Sequence, residues 1–245
     1  MIADVCTLIW KEWKEIFLQR SNYRGGIISL ALFIGVSGIF LPIQFKSEWL
    51  TSPIDLFIWI WFSIFLVLSM VTDAIAGERE RHTLETLLAS RLSDQAILLG
   101  KICASVIYGW SVAILSIFVG LLTVNVIDSQ PGFQVYPLPI FLGGIVLSFL
   151  ACVLMSALGV LVSLNAPTAR SAYQRLSTVL VVLFLVPVLG INLLPASAQQ
   201  SLQLFLVNFN LNKTILWAAI ILLFLDSGLI LAARVRFQRE KLLLD

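Results

Sequence analysis

The sequence predicts an all-α integral membrane protein: six transmembrane helices, an N-terminal amphipathic interfacial helix and both termini in the cytoplasm. Three observations carry this expectation. Apolar residues make up 59% of the 245 and charged residues only 12%, with a mean hydropathy of +0.98, whereas a soluble domain is about one-quarter charged. Six apolar stretches reach the roughly 20 residues a helix needs to cross a bilayer. The basic residues are also partitioned between alternate loops.

The interfacial helix falls within residues 1–24. From Ala3 to Gln19, Cys6, Ile9, Trp10, Trp13, Ile16 and Phe17 recur on one side at helical spacing, with Asp4, Lys11, Glu12, Lys14 and Glu15 mostly elsewhere. Tryptophans flanked by lysines suit the headgroup layer, where an apolar face sinks and charges stay wet. The early charges also break the pattern of a signal peptide, so the first apolar run is expected to remain in the mature protein.

The spans are expected at 27–45, 54–77, 102–127, 138–164, 176–194 and 214–233, forming a single domain over residues 1–245. Each must be helical because lipid cannot satisfy free backbone groups. Pro42 and Pro53, Pro131-Gly132, Pro137, Pro167 and the stretch from Pro195 to Lys213 supply the breaks between them. With the N-terminus inside, all of the sixteen Lys and Arg residues except Lys46 and Lys213 fall on the cytoplasmic side, which the retention of short basic loops requires. The outer loops are too short for a folded domain, so cargo would be recognised within or between the spans.

Composition removes several other functions. A net charge of +2 without a basic face gives no nucleic-acid partner. Cys6, Cys103 and Cys152 are far apart and form no paired motif, so no metal site is expected. No cluster of histidine and carboxylates or activated nucleophile is evident, and the one histidine is His82, so the chain is not expected to be an enzyme and no catalytic residue is assigned.

The segment from Ala76 to Lys101 carries the most information. Leu84, Leu87 and Leu88 form an apolar stripe, Arg81 and Glu85 are spaced i, i+4, and Glu78 lies within reach of Arg81 or His82. Ser93 or Asp94 can cap the helix that continues as the third span. Glu78, Glu80, Glu85 and Asp94 balance Arg79, Arg81, Arg91 and Lys101, which describes an ion-paired folded element suited to docking a cytosolic protein.

The run Ala76-Gly77-Glu78-Arg79-Glu80-Arg81, then Thr83-Leu84-Glu85 and Leu87-Leu88, followed by Ile97-Leu98-Leu99-Gly100-Lys101, resembles the signature of ABC type-2 permeases, the membrane subunits of one class of ATP-binding-cassette exporter. Lys11-Glu12, the stretch from Asn165 to Arg175 and Arg236-Phe237-Gln238-Arg239-Glu240 also resemble that family, so the likeness spans the chain. It implies a permease of the inner cell membrane, paired with a second copy around a translocation route and resting on a cytosolic ATPase. It implies a coupling helix over 78–90, with Glu78, Arg79, Glu80, Arg81, Thr83, Leu84, Glu85, Leu87 and Leu88 as ATPase-coupling residues. The sequence has no G-x-x-x-x-G-K-[ST] loop, so ATP and Mg would be held by the separate ATPase subunit, and no cofactor is expected in this chain.

Asp73 and Asp226 lie within apolar runs, and Asn192 shares the fifth with Pro187 and Gly190, which could break that helix. Asp226 could face Lys101, a polar side chain of a neighbouring span, or water near the inner leaflet. These polar residues leave a rival open, a proton-coupled secondary carrier using Asp226 and Asp73. A permease of a cytochrome c maturation system has a similar size and plan.

Overall fold

In the computed structural model the described residues are 2–14, 23–128, 132–193, 195, 197 and 210–237. The chain begins with α1 (Ile2–Lys14), which packs against the start of α8 (Asp94–Ile127). Leu8 and Glu12 are buried, with Ile9 and Trp13 half-buried, while Cys6 and Trp10 are exposed. The buried face is therefore turned from the one that apolar periodicity picks out, because Glu12 has a buried cation to meet. Ile16 and Phe17 lie outside the described residues.

A helical run follows, made of α2 (Tyr23–Ile34), a π-helical segment Gly35–Phe40 and α3 (Leu41–Phe45). Gly38 in the π segment lets Val119 of α8 approach: a methyl group there would sit 2.9 Å from Val119 Cγ1. Thr123 donates a hydrogen bond to the Gly38 carbonyl at 2.7 Å. Lys46, at φ 50°, turns the chain into the short α4 (Ser47–Thr51), which buries Trp49 and Leu50.

Helix α5 (Ile54–Thr72) continues through a second π segment, Asp73–Gly77, into α6 (Glu78–Glu80), giving a continuous stretch of 27 residues. After a turn come α7 (Leu84–Leu88) and α8, the latter capped by Ser93, one of the two caps the sequence offers, whose hydroxyl accepts from the Ala96 N–H at 3.2 Å. Then follow α9 (Leu138–Leu164), α10 (Ala169–Leu193) and α11 (Leu211–Arg236).

Among the described residues the fold class is all-helical and membrane-spanning as expected. Five helices are long and apolar enough to cross a bilayer: Ile54–Glu80, Asp94–Ile127, Leu138–Leu164, Ala169–Val186 and Leu211–Arg236. The expected first span, 27–45, falls on the helical run from Tyr23 to Phe45, within which Leu30–Phe45 is an apolar stretch. Helix α10 runs unbroken through Pro187 and Gly190 to Leu193, so the break considered for the fifth span does not form. The side chain of Asn192 lies outside the described residues.

Helix α9 is the hub because its small residues admit three neighbours. Gly159 leaves room for Val71 of α5, Gly144 for the Trp59 ring, and Gly143 for Ile215 of α11. Ser156 meets Ser105 of α8 across 2.5 Å between buried hydroxyls. Close backbone approach at small residues is how helices associate where the solvent is already apolar. The largest core cluster draws Val67, Leu68, Val71, Ile97, Met155 and Val160 from α5, α8 and α9.

Candidate functional site

The site grows from one buried cation. Lys101, in the second turn of α8, is 1% exposed. Its ammonium lies 3.1 Å from Glu12 Oε1 of α1 and donates to the Ala74 carbonyl of the second π segment. Glu78 Oε2 is 2.9 Å away but off the line of a hydrogen bond, and Glu78 Oε1 accepts from Lys11 at 2.7 Å. Two cations and two carboxylates thus balance in a largely dry pocket. A buried ion pair gains little over an apolar filling, yet leaving one member alone is costly. The cluster therefore fixes geometry: α1, the end of the α5 stretch and the start of α8 are pinned to one another.

The following loop is anchored as firmly on its other side. The Ala76 N–H donates to the Ser163 hydroxyl at 2.9 Å. Arg79 donates to the carbonyls of Leu164 (3.0 Å) and Ala166 (3.1 Å), satisfying acceptors that the end of α9 leaves free. Glu80 accepts from the Ala169 N–H at the start of α10 (3.3 Å). Such a carboxylate also complements the positive end of the α10 dipole.

The nine predicted coupling residues divide by environment. Glu78 and Leu84 are buried, Arg79 and Leu87 are half-buried, and Glu80, Arg81, Thr83 and Glu85 are exposed together with His82 and Thr86. The side chain of Leu88 lies outside the described residues. Residues 78–90 form two short helices rather than one: the chain turns at Arg81 and at His82, whose φ is 57°. The turn sends Arg81 to Asp73 at 3.3 Å, not to Glu85, and Glu78 meets lysines instead of Arg81 or His82.

The candidate intramembrane acids separate in the same way. Asp73 is part-exposed and has Arg81 as its partner. Asp226 on α11 is 5% exposed, and neither of its oxygens has a hydrogen-bond partner among the described residues. Lys101, which could have faced it, is occupied by Glu12 and Glu78. A further acid, Asp55, is buried at the opposite end of α5 from the ion cluster, near the cluster of Trp49, Trp59 and Tyr136, with both oxygens unpartnered among the described residues. An acid one residue inside an apolar span was the available signal.

A family model described as ABC-2 family transporter protein matches residues 14–242. No curated protein matches the chain.

Proposed function

Because the chain belongs to the ABC-2 transporter family, as a membrane transport component and not a catalyst, we propose that it is the permease subunit of an ATP-driven exporter, paired with a second copy and gripped by a cytosolic ATPase through the segment 78–88. ATP and Mg belong to that partner.

One observation carries the reading. The segment is bolted to the helices by Glu78, Arg79 and buried Leu84, yet offers Glu80, His82, Thr83, Glu85 and Thr86 outward. A surface held this way can pass a push into the bundle. When ATP draws the partner subunits together, the force on α7 reaches α5 and α8 through the Lys101 cluster and α9 through Arg79. The two arrangements of the spans then differ in how well they fit the closed ATPase, which is the condition for driving one at the expense of the other. Of the predicted coupling residues, Thr83 and Glu85 form the contact, while Glu78, Arg79, Glu80 and Leu84 hold it in place.

The test reconstitutes the chain with its ATPase in vesicles. Glu85→Arg should lower ATPase retention and ATP-driven transport about tenfold or more, as a reversed charge does at an interface, with helix content unchanged. Wild-type retention and transport would remove the coupling assignment. The rival carrier has lost ground, since Asp73 is engaged with Arg81 near the surface; transport driven by a proton gradient without any ATPase would restore it.

A further inference from the structure

Helices α9 and α11 part along one side to leave a groove of about 710 Å³, within the range of small-molecule sites. It runs from Pro139 to Leu150 on α9 and from Asn212 to Leu223 on α11. The α11 wall is one stripe at helical spacing, Asn212, Ile215, Ala219 and Leu223. Among the described residues no charged side chain lines the groove, and the Trp110 N–H at its edge is already given to the Ile145 carbonyl at 3.1 Å.

The same stripe leads to a carboxylate. Asp226 stands three residues beyond Leu223, about 4.5 Å further along the axis, and is buried with both oxygens unpartnered. Helix α9, on which α11 packs, contains no charged residue that could neutralise it. A lone buried carboxylate is expensive, so the end of this apolar trough lacks a positive partner.

We propose that the groove binds an amphipathic organic cation, its apolar body lying between α9 and α11 and its single positive charge against Asp226. The trough supplies affinity by covering apolar surface, and the carboxylate selects for charge. As a statement about cargo this rests on the permease reading; as a binding site it does not, because binding is measured without an ATPase.

The experiment uses the full chain in nanodiscs of zwitterionic lipid and two probes of matched shape, the cation tetraphenylphosphonium and the uncharged tetraphenylsilane. The cation should bind saturably and the silane at least about tenfold more weakly, with Asp226→Asn weakening the cation by a similar factor, as for a hydrogen bond or ion contact to a charged group. Ala219→Trp, which fills the trough, should abolish saturable binding of both. Equal binding of the two probes to the wild-type protein would overturn the proposal and make the groove a seat for lipid chains. Cation binding unaltered in Asp226→Asn would overturn it as well. The wild-type comparison decides even if that variant fails to fold. Loss of ATP-driven transport with binding intact would count against the coupling assignment alone.

Discussion

Lys101 carries a charge into a place where water does not follow, and its neighbours make that tolerable. Lys101→Met should leave Glu12 and Glu78 crowded together with only Lys11, costing about 3–5 kcal/mol and lowering the thermal unfolding midpoint of the purified protein. Adding Glu12→Gln and Glu78→Gln should recover part of the loss; a triple variant no better than the single would contradict the pairing. The sequence brings Glu78 and Lys101 into one ion-paired element, but neither their burial nor the Glu12 contact is readable from it. The sequence sets Lys101 among the charges that balance the acids of its own loop, whereas its Glu12 partner is 89 residues away. Periodicity reports which side of a helix is apolar, but not which charge on a distant helix will meet it. Glu78 looked like a contact residue for the same reason: it belongs to a charged motif, and only the fold shows that it is buried.

At the level of elements, local rules served well where backbone geometry is regular. The spans expected at 54–77 and 138–164 overlie Ile54–Glu80 and Leu138–Leu164, and the Ser93 cap falls where helix-start chemistry puts it. The expectations strayed where the helix widens. Two π-helical segments, Gly35–Phe40 and Asp73–Gly77, shift the angular register, and apolar spacing does not announce them. The second segment precedes α6, so Glu78 turns inward while Glu80 turns out. Arg79 then closes the end of α9. Arg79→Ala should release the Leu164 and Ala166 carbonyls at a cost of about 1–3 kcal/mol. Hydrogen exchange across residues 160–170 should rise, and an unchanged exchange pattern would show that the two bonds do not hold that terminus.

Across the whole molecule the charge asymmetry makes a prediction about sidedness. With Cys6 replaced by Ser, a membrane-impermeant thiol reagent should reach Thr83→Cys only from the cytosolic face and Lys46→Cys only from outside; labelling of Thr83→Cys in intact cells would invert the topology. The ion cluster bears on how that arrangement is reached during synthesis. Lys11 and Glu12 leave the ribosome long before Lys101, on the order of 10 s earlier at a typical 5–20 residues per second. Until α8 emerges, the first helix has no lysine from that helix to hold its glutamate. The nascent N-terminus must therefore wait in water or among headgroups beside the translocation machinery and dock late, so an arrest placed before residue 101 should yield an inserted chain whose amino-terminal helix is still open to protease.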